Sequence, residues 1–291
     1  MSNQTHVFGI FGDPISHSLS PVIHNAAFLA LNLPHYYVPF HVPKERLKEA
    51  ISAVVGLGIG GINVTIPHKE TVIPFLSDLS DEARKIGAVN TVEVSGNHLI
   101  GHNTDGLGFL NSLLELNINP CGLRVILLGA GGAARGVAVS LLNAHISELC
   151  IVARSAERRS ILYNDLCSLF PNNEISAYSL DKDDFGDEPT LLINTTPLGM
   201  NVGDPLPYPR GRIYPDWVVS DLVYNPVKTR FLRAAEKAGA KIVPGIGMLL
   251  HQATLSFEIF TQQKAPIEAM RMAILAYFLK KTGIPSSKTA S

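Results

Sequence analysis

The chain has 291 residues, of which 46% are hydrophobic and 17% charged, and its formal net charge is −1. That length suits two domains with cores of their own, and the composition excludes a disordered chain. The near-neutral balance argues against nucleic acid or an anionic membrane as partner, and no apolar run has transmembrane length. The cysteines Cys121, Cys150 and Cys167 form no Cys-x-x-Cys pair. With no secretory signal in view, they point to the cytoplasm.

In chain order, Val7–Phe11 reads as a strand. Ser20-Pro21 opens a helix through Leu29, with serine as N-cap and proline at the first helical position. Tyr36–Phe40 reads as a strand, Lys44–Val55 as a helix and Gly61–Ile66 as a strand, with Pro67 starting the next helix. Ala88–Val94 and His98–Gly101 form a hairpin around Ser95-Gly96-Asn97. This alternation predicts an α/β domain with a mixed sheet. Gly106–Leu116 is the connecting helix.

A second strand–helix series follows: Val125–Leu128, Leu149–Val152, Ile175–Ser179, Leu191–Asn194, Val218–Leu222 and Lys241–Val243, with a helix over Thr229–Gly239. Two helices, Met248–Thr261 and Pro266–Lys280, close the chain. Their apolar faces need a partner, and the first domain is the nearest one. The polar tail Pro285–Ser291 is expected to fray.

The sharpest local signal is the apolar run Leu123–Leu128 passing into Gly129-Ala130-Gly131-Gly132-Ala133-Ala134 and then a helix. Strand, glycine turn and helix in that order are the context of a dinucleotide fingerprint. Gly129 permits the turn, Gly131 lets the backbone approach a pyrophosphate, and Ala134 keeps helix and strand close. Ala130, Gly132 and Ala133 complete the turn, whose N–H groups face the diphosphate. The following strand ends at Arg154-Ser155, with Arg158 one turn on. An acidic residue there would hold a ribose 2′-hydroxyl; arginine forks suit a 2′-phosphate and hence NADP. A solvated basic helix start capped by Ser155 is the plain structural alternative.

Polar clusters mark the other strand ends. In Asn63–Lys69, Asn63 and Thr65 share one face of a strand, and Lys69 falls in the expected first helical turn. A helix start disfavours a positive charge, which suits a lysine that exchanges protons near neutral pH. Asp105 precedes a helix, as a cap or as the partner of Lys69. Ser18, Ser20, Asn90, Tyr224 and Gln252 complete the set. Neutral donors and acceptors of this kind suit a small ligand rich in hydroxyls. Beside a nicotinamide they predict alcohol–ketone interconversion, with Lys69 as acid/base. No zinc-ligand spacing is present; His17, His24, His68, His102 and His251 read as packing or capping groups.

Together, Ser18–Pro21, Asn63–Lys69, Gly87–Thr91, Asn103–Gly106, Gly129–Gly136, Asn194–Met200, Asp221–Tyr224 and Gly245–Ser256 closely resemble the shikimate dehydrogenase family over almost the whole chain. The resemblance implies two domains: residues 1–105 plus 246–291 for substrate, and a Rossmann-like doubly wound parallel sheet, 106–245, for NADP, with the site in the cleft between them. It implies reversible NADP-dependent reduction of 3-dehydroshikimate to shikimate, in chorismate and aromatic amino-acid biosynthesis. Lys69 and Asp105 would form the catalytic pair. Ser18, Ser20, Thr65, Asn90, Asp105, Tyr224 and Gln252 would hold the substrate. Thr195, Thr196, Leu222, Gly245 and Met248 would join the cofactor site. One departure is Ala153-Arg154-Ser155 in place of the family's Asn-Arg-Thr, which removes a polar side chain towards the adenosine ribose. The competing expectations are a quinate/shikimate dehydrogenase using NAD or NADP, and a non-catalytic NADP-sensing module. No metal and no macromolecular partner is expected, beyond a monomer or homodimer.

Overall fold

The computed structural model describes residues 4–181, 185–188, 190–208 and 212–281, so the tail Pro285–Ser291 lies outside the described residues. The chain divides into two compact units, Met1–Thr104 with Gln252–Ser291, and Asp105–His251.

The first unit runs β1 (Val7–Gly12), α1 (Ser20–Ala30), β2 (Tyr36–His41), α2 (Leu47–Gly56), β3 (Ile59–Val64), β4 (Asp78–Leu79), α3 (Asp81–Ile86), β5 (Thr91–Ser95) and β6 (His98–His102). Its six-stranded sheet has the order β2-β1-β3-β5-β6-β4. β5 is antiparallel to β3 and β6, and the other pairs are parallel. Alternation along β3 sorts the faces. Ile62 and Val64 enter a core with Leu47, Ile51 and Val54, the buried stripe of α2. Gly61 faces the other way, where a Cβ would overlap the ring of Phe260. That ring belongs to a cluster of Phe8, Phe28, His24 and Phe257.

The second unit runs α4 (Asp105–Glu115), β7 (Arg124–Leu128), α5 (Gly132–Asn143), β8 (Glu148–Val152), α6 (Ala156–Leu169), β9 (Glu174–Tyr178), β10 (Thr190–Asn194), β11 (Val218–Asp221), α7 (Arg230–Lys237) and β12 (Lys241–Pro244). α8 (Ile246–Thr261) begins in this unit, and its second half, with α9 (Ile267–Lys281), belongs to the first unit. There α9 packs on α1. The second sheet is all parallel, ordered β12-β11-β10-β7-β8-β9. This is the doubly wound arrangement, whose strand order reverses beside β7. Such strands are covered on both faces. Ile126 and Leu128 pack with Trp217, Phe231 and Leu232, while Val125 and Leu127, on the opposite face, are buried as well. Each such side chain contributes about 1.5–3 kcal/mol through burial.

Several expectations change. Pro67 does not start a helix: turns follow it, then one 3-10 turn at Ile73–Phe75. Pro74 explains this, because a helix begun at Pro67 would meet a residue without an N–H in its second turn. Ser20 is not the N-cap of α1; that position is Leu19, and Ser20 is the first residue inside the helix. Asp105 likewise is the first residue of α4 rather than the residue before it. The Lys44–Val55 helix divides into a 3-10 turn at Lys44–Arg46 and α2. β4 and α3 had no sequence counterpart. Yet α3 carries clear signals: Ser80 accepts from Ala83 N–H as its cap, and Gly87 ends it at φ 69°.

Candidate active site

In the first unit, pairing draws the proposed substrate residues to one end of the sheet. Asn63 pairs with Thr91, and Thr91 with His102, so the end of β3, the start of β5 and the end of β6 lie together. Thr65 N–H donates to Phe11 at the end of β1, and Ser18 and Ser20 follow on the loop from that strand. Lys69 stands in the turn after β3, where its carbonyl accepts Val89 N–H at 2.7 Å. Buried His68 fixes the same turn through Nε2 on Val42 O at 2.6 Å. With no helix start at Lys69, the dipole argument for its proton exchange falls away. What remains is a half-buried lysine on an anchored turn.

Beneath these residues runs a buried, uncharged hydrogen-bond chain that sequence reasoning missed. Ser20 bonds Tyr37, and Tyr37 Oη donates to Asn63 Oδ1 at 2.7 Å. Asn63 Nδ2 reaches Thr91 Oγ1 and Ser256 Oγ, each at 3.0 Å. Thr91 Oγ1 donates to Asn90 Oδ1 at 2.9 Å, and Asn90 Nδ2 donates to Thr104 Oγ1 at 2.9 Å. Thr104 and Ser256 both donate to Gln252 O, at 3.1 and 3.0 Å. One continuous network therefore holds the backbone or side chain of Ser20, Asn90 and Gln252. Burial pushes the Tyr37 phenol well above its usual range, so it stays a donor. His24 stacks on Tyr37 at 4.3 Å, and burial lowers its pKa to about 3. It is a neutral packing group, as expected of the histidines. Among the described residues no cluster of metal-ligating side chains occurs.

In the second unit, Asp105 is buried in the first turn of α4. The next residue, Gly106, lets that helix close on α5: a Cβ there would overlap Ser140 Oγ and Gly136 O. The glycine turn has the expected form. Gly129 adopts φ 122°, and a Cβ on it would overlap Thr195 Oγ1. Gly131 is the extended N-cap of α5, at φ −102° and ψ −173°, and no side chain caps the helix. Space opens in front of it: a Cβ on Gly131 would meet nothing within 4 Å. Ala130, Gly132 and Ala133 are half-exposed beside it, and Ala134 is buried against the sheet. An uncapped helix start facing open space fits a diphosphate.

At the end of β8, Arg154 and Arg158 are exposed at the start of α6. Ser155 accepts from Arg158 N–H at 3.3 Å as the cap of that helix. Basic side chains with no acid at the strand end fit a 2′-phosphate. On the other side of β7, Thr195 Oγ1 donates to Leu128 O at 2.7 Å, and Thr196 Oγ1 to Asn194 Oδ1 at 2.7 Å. Gly245 lies against the carbonyls of Asp221 and Leu222, which a Cβ would overlap. Met248 is buried in the first turns of α8, and Tyr224 is half-buried in the loop after β11.

Asp221 anchors this region and carried no sequence signal beyond its place in a motif. Its Oδ1 accepts from Asn194 Nδ2 at 2.9 Å and from Val223 N–H at 3.0 Å, and its Oδ2 accepts from Thr229 Oγ1 at 2.6 Å. Burial raises its pKa, and those donors oppose the shift.

An all-parallel doubly wound sheet with an uncapped glycine turn, joined to a separate α/β unit rich in buried neutral polar groups, defines the class of Rossmann-type dehydrogenases. Comparison with known proteins narrows the class. Residues 10–92 match the shikimate dehydrogenase substrate binding domain, and residues 245–275 the shikimate 5'-dehydrogenase C-terminal domain. Shikimate dehydrogenase (NADP(+)) of Methanopyrus kandleri is 44% identical, over 94% of this chain and 96% of its own. A crystal structure of shikimate dehydrogenase in complex with NADP+ superposes with a TM-score of 0.87 at 36% identity, over 95% of this chain and 97% of its own. The 5-ketofructose reductase of Gluconobacter sp. strain CHM43 gives 0.84 at 32% identity, over 94% and 99%. The chain belongs to the shikimate dehydrogenase family.

Proposed function

We propose that this protein catalyses the reversible NADP-dependent reduction of 3-dehydroshikimate to shikimate, a step towards chorismate and the aromatic amino acids. The observation that carries the reading is the end-to-end likeness to an NADP(+)-linked member of the family, in a chain that retains both Lys69 and Asp105. A bound nicotinamide supplies the hydride. Lys69 protonates the alkoxide that forms and takes the proton back in the reverse direction; Asp105 completes the catalytic pair. Ser18, Ser20, Thr65, Asn90, Tyr224 and Gln252 bind the carboxylate and hydroxyls of the ring. Ser20, Asn90 and the Gln252 backbone enter the reaction already held by buried bonds, so little ordering is left for the substrate to induce.

For the cofactor, the N–H groups around Gly129–Ala134 receive the diphosphate. Arg154 and Arg158 fork the 2′-phosphate, with charge-assisted bonds of roughly 1.5–3 kcal/mol each. Thr195, Thr196, Leu222, Gly245 and Met248 form the nicotinamide side. No helix among the described residues is long and apolar enough to cross a membrane. The three cysteines are free thiols, which agrees with a reducing cytoplasm.

The test is absorbance at the reduced-nicotinamide band, with shikimate or quinate and NADP+ or NAD+, for wild type and Lys69→Ala. Shikimate should reduce NADP+, and the variant should lose about 10²–10⁴-fold in kcat while still binding both ligands. Comparable rates with quinate and NAD+ would establish a dual-specificity enzyme. Folded, NADP-binding protein without turnover would leave a sensor.

A further inference from the structure

Asp221 lies at the C-terminal end of β11 and is 0% exposed. All its hydrogen-bond donors, Asn194, Val223 N–H and Thr229, are neutral. Among the described residues no lysine, arginine or histidine pairs with it. A buried carboxylate without a cation costs several kcal/mol of solvation. The same loop geometry could have been held by an uncharged amide or hydroxyl. Its position bears on what the charge does. β11 and β12 lie in the β10-β11-β12 half of the sheet, across the switch point from the Arg154 end. In doubly wound sheets that half takes the second nucleotide. Leu222 follows Asp221 directly, and Gly245 lies against the Asp221 and Leu222 carbonyls.

We propose that Asp221 tunes the redox preference of the cofactor site: its buried negative charge favours the oxidised, cationic nicotinamide over the reduced, neutral one. The inference rests on the NADP reading above. Burial raises the pKa of this carboxyl, and the three donors oppose that rise by favouring the ionised form, the form that exerts the field. In a partly buried site, one unit charge is screened far less than in water. The same bonds make Asp221 a positioning residue for the Asn194–Thr196 turn and, through Thr229, for the start of α7. A positioning role alone affects both redox forms alike; a charge separates them.

The experiment titrates NADP+, NADPH and 2′,5′-ADP into wild type and Asp221→Asn by calorimetry, without substrate. The last ligand carries the 2′-phosphate but no nicotinamide. The expected result is an increase of roughly tenfold in the ratio of the NADP+ to the NADPH dissociation constant, with 2′,5′-ADP bound as in wild type. Equal weakening of NADP+ and NADPH, or no change in either, would overturn the proposal and leave Asp221 as a loop anchor. Loss of 2′,5′-ADP binding in the variant would also overturn it, since the carboxylate would then serve the fold. Wild type that fails to bind NADP+ would remove the cofactor reading itself, a distinct outcome.

Discussion

At the scale of single residues, the buried chain from Ser20 to Gln252 sets the demands on the substrate end. Tyr37→Phe removes one oxygen and leaves Asn63 Oδ1 and the Ser20 hydroxyl each short of a partner. Such losses cost about 1–3 kcal/mol. We expect the KM for shikimate to rise about tenfold or more, while the NADP+ dissociation constant stays as in wild type. Ser256→Ala should act in the same direction, through Thr91 and the Gln252 turn. Unchanged KM with a lowered melting midpoint would make the chain purely structural. His24 gives a second test. Burial lowers its folded pKa from 6.5 to about 3, so between those values the unfolded chain binds a proton that the folded chain refuses. Its stabilising contribution is complete above pH 6.5 and is lost as pH falls towards 3, at about 1.4 kcal/mol per pH unit. Urea melts from pH 7 to pH 4 should therefore fall less steeply in His24→Phe than in wild type. Lys69, Asp105 and the arginines could be picked out of the sequence because each stands beside a recognisable motif. Asn63 stood out within its cluster, but its partners Tyr37 and Ser256 did not, because those bonds span 26 and 193 residues.

At the scale of elements, the strand–glycine–helix unit was legible because its rules are local: an apolar run, a turn that needs φ > 0, an uncapped helix start. The segment after β3 was not. Pro67 resembles a helix opener, and only the second proline, Pro74, rules the helix out. β4, two residues long, is too short for any periodicity to reveal. The meeting of α4 and α5 is a matter of one missing side chain. Gly106→Ala would drive a methyl into the Gly136 carbonyl, a backbone atom that cannot rotate away. Overpacking of this kind costs about 1–3 kcal/mol. A matching drop in the urea midpoint should appear, and a variant as stable as wild type would mean that the helices part freely.

At the scale of the whole molecule, composition and strand order placed the chain among doubly wound α/β proteins, and the second unit's all-parallel sheet follows that rule. The first unit is assembled from both ends of the sequence. α9 packs on α1, and Phe257 and Phe260 of α8 fill the aromatic cluster over β3. A chain stopped after residue 261 should lose shikimate binding, since α1 loses its cover. It should keep affinity for 2′,5′-ADP, because residues 105–251 are intact. Retention of both ligands would show that α9 is dispensable.

The discontinuity also sets a timetable for synthesis. Residues 105–251 form one unbroken stretch and can collapse once they leave the ribosome, whereas the stretch made first must wait for the helices made last. If residues 105–251 fold as they emerge, the usual N-terminal-first order of domain folding is inverted here. Until translation reaches α9, the face of α1 that α9 covers is left without its partner.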